Sequence, residues 1–293
     1  MSEMMKASTG GENIGAKARF WSAVKTVFAF ILFVLYMIPF LLVLINSLKQ
    51  KINIIKTPLS LIDPAGFQTQ NYISAFEKMG YFQAFLNSLI ITVTSIVLLI
   101  FCSSMCAYIL TRRNYKACKI SYFLLISYMV IPFQVIMIPV LAIFGSTLHW
   151  LNNRLILIIM NVAYGTGFAT FLLSGFIKSS VPIALEEAAL IDGAGIYQIF
   201  FRIVLPLLKP ILATNMIIQT LGLWNDYLLP SLVLGKESLQ TLPIRIRSFN
   251  GTFTSDYGLM MAALVMCVAP ILVLYVFMQK YIVSGIVAGA VKE

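Results

Sequence analysis

Residues 186–206 read EEAALIDGAGIYQIFFRIVLP, a charged, glycine-bearing interruption in a chain that is otherwise strongly apolar. Charge-free stretches lie on both sides of it, at 26–48, 79–111, 120–153, 155–177 and 257–279, and a sixth apolar stretch, 210–235, contains one charge. About 20 apolar residues form a helix long enough to cross the core of a bilayer. The pattern therefore predicts an all-α membrane protein with six transmembrane helices.

The composition excludes an ordinary soluble domain. Hydrophobic residues make up 60% of the 293 residues and charged residues 11%, with a mean hydropathy of +0.91, whereas soluble domains carry about 25% charged residues. We expect a transmembrane domain over 22–285 between terminal tails at 1–21 and 286–293. The spans are predicted at 24–48, 85–111, 120–146, 155–177, 210–235 and 257–280, with a long loop at 178–209 between the fourth and the fifth.

The distribution of Lys and Arg predicts the orientation of the spans. Basic residues close to a span resist translocation, and the loop TRRNYKACK at 111–119 concentrates them. Most basic residues lie inside when both termini are cytoplasmic, so we expect that orientation. It places Lys49, Lys51 and Lys56 outside, against the general rule. The net charge of +10 then reflects topology and attraction to anionic membrane lipid. No basic run is interleaved with exposed aromatic residues, so we expect no nucleic-acid partner.

The sequence carries no familiar motif for catalysis or metal binding. It has no phosphate loop G-x-x-x-x-G-K-[ST], no H-E-x-x-H zinc motif and no G-x-S-x-G nucleophile elbow. The single histidine, His149, lacks the acidic partners of a metal site, and the four cysteines are typical of small apolar positions. We therefore expect no catalytic residue, no metal and no cofactor bound by this chain, and any nucleotide chemistry must belong to a partner.

The loop at 178–209 predicts secondary structure of its own. Pro182 suits a first helical turn, and 183–192 is rich in helix formers that stop at Gly193 and Gly195, where glycine permits a left-handed turn. A second short helix is expected to end at Pro206, with an apolar face formed by Ile199, Phe200, Ile203 and Val204. The first helix carries small side chains at Ala184, Ala188 and Ala189. These favour close approach of another protein, and an amphipathic helix resting on lipid is the alternative.

At these residues the chain resembles a known family. The signature E-A-A-x3-G-x9-I-x-L-P of bacterial ABC importer permeases is filled at every fixed position, by Glu187, Ala188, Ala189, Gly193, Ile203, Leu205 and Pro206. The chain resembles the carbohydrate branch of this family, and within it the smaller permease subunit of maltose-type importers. The residues that carry this likeness are Asp192, Gly193 and Ala194, followed by Phe200 and Pro210. The likeness extends over most of the chain, through NSLK, NYISAF, FLNSLI, AYILTRR, IPFQVIMIP, LWNDYLLP and SGIVAGAVK. We call residues 178–209 the EAA segment.

The resemblance implies the ABC type I importer permease fold, with the EAA segment forming a coupling helix that contacts a separate ATPase. The residues implied in ATPase coupling are Glu186, Glu187, Ala188, Ala189, Asp192, Gly193, Ala194, Ile203, Leu205 and Pro206. The C-terminal tail is implied to meet the ATPase pair, through Gly289, Val291 and Lys292. The implied partners in the bacterial cytoplasmic membrane are a second permease in a heterodimer, two ATPase subunits that use ATP and Mg, and an extracellular solute-binding protein.

Candidates for the substrate path lie in spans three and five. Asp226 is the charge inside span five, and a charge in the apolar core of a bilayer needs a water-filled cavity or a polar partner. The candidates are Gln134, Trp224, Asn225, Asp226 and Tyr227, which together offer a ring for stacking and polar groups for hydroxyls. Alternatively, Asn225 and Asp226 stabilise an interface with the companion permease. Pro132 and Pro139 are expected to kink span three.

The loop that follows span five supplies candidates for contact with the solute-binding protein, Lys236, Glu237, Arg245 and Arg247. A solvated loop without a partner is the alternative. The sequence thus favours a permease that moves a sugar or oligosaccharide by alternating access. An ABC permease for another solute, an ion-coupled secondary transporter and a structural anchor are the competing interpretations. A secondary transporter would need several buried ionisable groups, and only Asp226 qualifies.

Overall fold

The computed structural model describes residues 2–249, 251 and 256–290, and these residues contain helices and no β-strand. The α-helices run in the order α1 Ser2–Ser47, α2 Lys51–Lys56, α3 Gln70–Lys78, α4 Tyr81–Arg112, α5 Lys116–Ser127, α6 Phe133–Leu141, α7 Arg154–Ser180, α8 Ile183–Ile191, α9 Ile196–Ile199, α10 Leu205–Leu207, α11 Lys209–Asn225, α12 Leu228–Val233, α13 Leu242–Arg247 and α14 Tyr257–Ala290. Short 3₁₀ turns at Tyr128–Val130 and Glu237–Leu239 and π-helical turns at Ala142–Thr147 and Phe200–Val204 complete the chain.

Among the described residues, four continuous helical segments are long and apolar enough to cross a membrane. They are Ala18–Ser47, Tyr81–Arg112, Arg154–Ser180 and Tyr257–Phe277. Two bent pairs pass the same test, Lys116–Val130 with Phe133–Thr147 and Ile196–Leu207 with Lys209–Asn225. The all-α membrane fold is therefore confirmed, and the count of six spans holds if each bent pair is one span.

The kink predicted in span three is confirmed at the first of its two prolines. The chain bends by 100° between Val130 and Phe133, because Pro132 cannot donate a backbone hydrogen bond and disfavours the helical conformation of Ile131. Ile131 has φ −83° and ψ 117°, which is extended backbone. At Pro139 the helix α6 continues without a break.

The predicted span 210–235 is interrupted in the structure. Helix α11 ends at Asn225, Asp226 has ψ 128°, and α12 begins at Leu228. The carboxylate of Asp226 accepts the amide hydrogen of Leu228 at 3.0 Å, which is how an aspartate before a helix satisfies a free N–H. Asp226 is thus at a helix break, and its placement inside a continuous span was wrong.

Both predicted tails are partly helical. Helix α1 begins at Ser2, inside the predicted tail 1–21, and α14 continues through the start of the predicted tail 286–293 to Ala290. Each additional residue of an existing helix adds one hydrogen bond for one ordered residue. A stable span can therefore extend into polar sequence beyond the membrane.

Helices α4 and α7 pack along their length and form the centre of the bundle. Small and polar residues allow the close approach, including Asn161, whose side chain donates to Ser95 at 3.3 Å. A side chain at Gly165 would collide with Leu99, and one at Gly167 would collide with the ring of Tyr128. Glycine at these two positions therefore allows close packing of α7 against its neighbours.

Candidate functional site

Helix α8 of the EAA segment ends in a left-handed turn that the sequence predicts. Gly193 has φ +82°, and its amide donates to the carbonyl of Leu190 at 3.0 Å. The next amide, of Ala194, donates to the carbonyl of Ala189 at 2.9 Å. This pair of bonds defines the Schellman motif, in which glycine avoids the strain of a positive φ.

A buried ion pair fixes α8 to the end of α4. The carboxylate of Glu186 accepts from Nε of Arg112 at 2.7 Å and from the hydroxyl of Tyr108 at 3.0 Å. Arg112 also donates through Nη2 to the carbonyl of Val181 at 2.7 Å. The side chains of Arg112 and Glu186 are only 13% and 10% exposed. Glu186 therefore faces the bundle, although the sequence placed it with the residues that contact a partner.

The opposite face of α8 is open to solvent. Glu187, Ala188 and Asp192 are exposed, and apolar side chains beside them are exposed at Ile183, Leu185, Leu190 and Ile191. Ile191 is 87% exposed. A charged residue among exposed apolar side chains on a rigidly held helix is typical of a surface that docks a partner.

The second half of the EAA segment packs beneath α8. Ile199, Phe200 and Val204 are buried and Ile203 is half-buried against the same cluster, as the predicted apolar face requires. The helix does not end at Pro206 as predicted. It continues through the π-helical turn Phe200–Val204 as α10 to Leu207, and it then bends by 73° into α11.

A mostly apolar cavity of ≈ 410 Å³ lies between α6, α7, α11 and α12. Asn161, Gln219 and Asp226 contribute polar groups to its wall, and Phe133 and Tyr164 contribute rings that meet edge to face at 5.5 Å. The side chain of Gln219 donates to the carbonyl of Gly165 at 3.4 Å. Amide and carboxylate groups beside aromatic rings suit a ligand that carries hydroxyl groups on an apolar frame.

The cavity contains one of the five predicted substrate-path residues, Asp226. Trp224 is buried in the core instead, where its indole donates to the carbonyl of Cys267 at 3.2 Å and its ring meets Phe85. Asn225 is exposed and donates to the carbonyl of Leu221 at 2.9 Å. The ring of Tyr227 lies 5.4 Å from the guanidinium of Arg247, and Gln134 is exposed. The structure does not bring these four residues to the cavity.

The residues predicted to contact a binding protein lie at the far end of the bundle, opposite the EAA segment. Lys236, Glu237 and Arg247 are exposed. Arg245 is buried at 7% exposure and pairs with the carboxylate of Glu237. The Nη2 nitrogen of Arg245 also donates to the backbone carbonyl of Glu237 at 2.9 Å. Arg245 therefore holds this surface together from within, and the exposed surface is formed by the other three.

Side chains of α4 fix the same segment to the bundle. Asn87 donates to the carbonyls of Ser238 at 3.0 Å and Gln240 at 2.9 Å. The hydroxyl of Ser88 accepts from the amide of Leu242 at 2.9 Å. The segment 236–249 is thus firmly attached to the far end of the bundle. A solvated loop without a partner would not need these hydrogen bonds.

The segment between α1 and α3 adds a second ordered surface at the far end. Amides of Ala65 and Gln50 donate to the carboxylate of Asp63 at 2.8 and 2.7 Å, and Asn53 donates at 2.8 Å. These donors, led by the amide of Ala65, lower the pKa of the Asp63 carboxyl below its usual value. The ammonium of Lys49 is bound at 2.9 Å by the carbonyl of Thr57.

Four residues of these sites were not predicted from the sequence, namely Tyr108, Arg112, Asn161 and Gln219. Arg112 was counted only as a topology signal, and no local pattern shows that it meets Glu186, which is 74 residues away. Gln219 offered a weak signal, as an amide in an apolar span. Of the predicted tail residues, Gly289 lies in α14, and Val291 and Lys292 lie outside the described residues. The described residues contain no cluster of His, Cys, Asp or Glu that could hold a metal.

Comparison with known proteins identifies close relatives over most of the chain. The family described as "Binding-protein-dependent transport system inner membrane component" matches residues 99–287. The probable starch degradation products transport system permease protein AmyC of Thermoanaerobacterium thermosulfurigenes is 40% identical, over 92% of this chain and 96% of the relative. The melibiose/raffinose/stachyose import permease protein MelC of Bacillus subtilis is 39% identical, over 91% and 95%.

A solved structure shares the fold. A bacterial ABC transporter involved in the import of the acidic polysaccharide alginate contains a chain that matches with a TM-score of 0.72, over 90% of this chain and 96% of its own. Its sequence is 21% identical, so this likeness shows the fold alone. The permease relatives confirm the resemblance found at the EAA segment. The chain belongs to the family of binding-protein-dependent transport system inner membrane components.

Proposed function

We propose that this chain is the permease subunit of an ATP-driven importer that moves a sugar or oligosaccharide across the cytoplasmic membrane by alternating access. The observation that carries the proposal is the construction of the EAA segment. One face of α8 is bonded to α4 through Glu186, and the other presents Glu187 among exposed apolar side chains. A helix held in this way can transmit the movement of a partner subunit to the transmembrane spans.

The proposed orientation places the EAA segment and both termini in the cytoplasm. The basic residues at the end of α4 and the start of α5 lie beside α8, at the same end of the bundle. Positively charged loops stay on the cytoplasmic side. The far end, with the segment 236–249, then faces the exterior, where a solute-binding protein would deliver its cargo to Lys236, Glu237 and Arg247.

The proposed energy source lies in partner subunits. Two ATPases that bind ATP and Mg would dock on the EAA segment, and closure of the pair would rotate α8 together with the end of α4. A second permease would complete the pathway, since alternating access needs two halves that move against each other.

A sugar is the proposed cargo because of both the relatives and the cavity. The relatives are named for starch degradation products and for melibiose, raffinose and stachyose. The cavity beside Gln219 and Asp226 pairs neutral and acidic hydrogen-bonding groups with aromatic rings, and no Lys or Arg lines it. An anionic cargo such as phosphate would favour basic groups there.

Glu187→Lys tests the coupling. We expect uptake of labelled oligosaccharide to fall at least about thirtyfold, because reversing one charge at a docked ion pair costs about 2–5 kcal/mol. ATP hydrolysis by the assembled complex should lose its stimulation by the binding protein. Uptake is measured in cells that contain the remaining subunits, and the amount of chain in the membrane is measured by immunoblot.

Glu77→Lys is the matched control, since Glu77 is equally exposed but lies in α3 at the far end. It should leave uptake near the level of the unchanged protein. Normal uptake by Glu187→Lys would argue against a docking role for α8 and in favour of a helix that merely rests on lipid.

Gln219→Ala tests the cavity. Loss of one neutral hydrogen bond to the cargo costs about 0.5–1.5 kcal/mol, so we expect the KM for uptake to rise roughly threefold to tenfold with the maximal rate preserved. Gln83→Ala removes an exposed glutamine of α4 and serves as the control. An unchanged KM for Gln219→Ala would place the cargo elsewhere, for example on the companion permease.

A further inference from the structure

A second cavity, of ≈ 280 Å³, lies where the end of α4, the start of α5 and the end of α7 meet. Half of the residues that line it are basic, namely Arg112, Arg113, Lys119 and Lys178. The proposed coupling assigns a role to Arg112, which pairs with Glu186, and none to the other three basic side chains. Its position beside the ends of three helices places it near the boundary between the apolar spans and the aqueous phase.

The positive charge of this cavity is not neutralised from within. Glu186 pairs with Arg112 on the side that faces α8, and no Asp or Glu in the described part of the chain lines the cavity. Arg113, Lys119 and Lys178 are exposed and form no ion pair with any described residue. Three cations drawn together from three helices repel one another, so an anion in the cavity would remove an unfavourable interaction.

Hydrogen-bonding groups accompany these cations. Thr111 lines the cavity, and its hydroxyl is buried without a hydrogen-bond partner among the described residues. The amide side chain of Asn114 lines it as well. The ammonium of Lys178 lies 5.4 Å from the centre of the Tyr122 ring, a contact that orients the cation. Cations combined with an amide suit the oxygen atoms of a phosphate.

The surface next to the cavity is apolar. Along α5, the side chains of Ile120, Phe123 and Leu124 are 50%, 71% and 62% exposed. These residues begin the third apolar stretch of the chain and lie just beyond Lys119. A ligand that fills the cavity with a charged group can therefore lay an apolar tail along α5, which a free phosphate cannot do.

We propose that this cavity binds the phosphate headgroup of an anionic phospholipid, with its acyl chains along α5. Basic pockets between transmembrane helices at the cytoplasmic boundary are suited to such headgroups. The bound lipid would tie α4, α5 and α7 together beside the EAA segment. Only the choice of leaflet rests on the proposed function, because the binding itself needs neither ATPase nor cargo.

The test measures lipid binding to the purified full-length chain in detergent. Dioleoyl phosphatidylglycerol and dioleoyl phosphatidylcholine are titrated separately, and binding is followed by the shift in Tm and by native mass spectrometry. We expect the anionic lipid to bind at least about tenfold more tightly. The triple variant Arg113→Gln, Lys119→Gln, Lys178→Gln should lose that preference, since each basic residue near a lipid surface contributes about a factor of five.

A second triple variant provides the matched control. Lys116→Gln, Arg202→Gln and Lys209→Gln remove the same charge from exposed basic residues that do not line the cavity, and they should preserve the preference. The single variant Lys119→Gln changes one exposed side chain of α5 and should weaken binding about fivefold. If the triple variant fails to fold, this single variant still tests the proposal.

Three results would overturn the proposal. One is unchanged binding of phosphatidylglycerol by the triple variant. Another is an equal loss in the control variant, which would show that binding follows net charge and not this cavity. The third is displacement of the lipid by inorganic phosphate or glycerol 3-phosphate at similar concentration, which would identify a site for a free phosphate.

Discussion

Arg112→Ala is expected to abolish uptake and to lower the free energy of unfolding by about 3–5 kcal/mol, because it leaves a buried carboxylate without its charged partner. The guanidinium is the link between α4 and α8, with bonds of 2.7 Å to Glu186 and to the carbonyl of Val181. Without it, only the hydroxyl of Tyr108 remains on Glu186. The exposed face of α8, which we propose as the docking surface, then loses its fixed position relative to the spans.

The measurements for Arg112→Ala are Tm in detergent, uptake in cells and amide hydrogen exchange over residues 183–199. Arg19→Ala removes an exposed arginine of α1 and should leave the Tm within about 1 °C of the unchanged protein. Arg112→Lys keeps the charge but cannot reach two acceptors with one planar group, so we expect an intermediate Tm. Equal Tm values for Arg112→Ala and Arg19→Ala would show that the ion pair contributes nothing.

The double variant Arg112→Ala, Glu186→Gln separates stability from coupling. The glutamine carries no charge, so the penalty for an unpaired buried carboxylate disappears and much of the Tm should return. Uptake should stay low, since the link between α4 and α8 is still absent. Recovery of both Tm and uptake would show that α8 needs no charged anchor and only an uncharged environment.

Local patterns in the sequence predicted the helices and their turns well. Runs of apolar residues mark the spans, Pro132 marks the break in span three, and Gly193 marks the left-handed end of α8. Each of these depends on the conformational range of one residue or on one stretch of the chain. Asp226 was also a local signal, because an aspartate just before a helix is a common cap. The apolar residues on both sides of it concealed the break between α11 and α12.

Contacts between distant parts of the chain were not predictable in the same way. Arg112 and Glu186 are 74 residues apart, and nothing in either sequence neighbourhood distinguishes a buried pair from two exposed charges. Trp224 looked like a ring for stacking on a sugar, whereas the packing of α11 on α4 and α14 buries it. Arg245 looked like an exposed charge, because its own stretch of sequence does not show that other parts of the chain bury it. Burial of a long polar side chain depends on the tertiary neighbours that satisfy it.

Gly193→Pro should be the second substitution with a severe effect, and the reason is confined to one turn. Proline fixes φ near −65° and has no N–H, whereas position 193 has φ +82° and donates to the carbonyl of Leu190 at 3.0 Å. Loss of the turn should cost about 3 kcal/mol or more. It would also change the direction in which the chain enters α9, so that Ile199 and Phe200 no longer pack beneath α8.

A graded series at this position makes the expectation for Gly193→Pro sharp. Asparagine tolerates the left-handed region, so Gly193→Asn should retain most uptake, and Gly193→Ala should lose about 1–2 kcal/mol of stability. Gly195→Ala is the control, because position 195 has φ −73° and open space around a Cβ. Uptake should therefore fall in the order Gly195→Ala, Gly193→Asn, Gly193→Ala, Gly193→Pro. If Gly193→Pro reached the membrane and transported cargo as well as Gly195→Ala, the geometry of this turn could not be what aligns α8 with its partner.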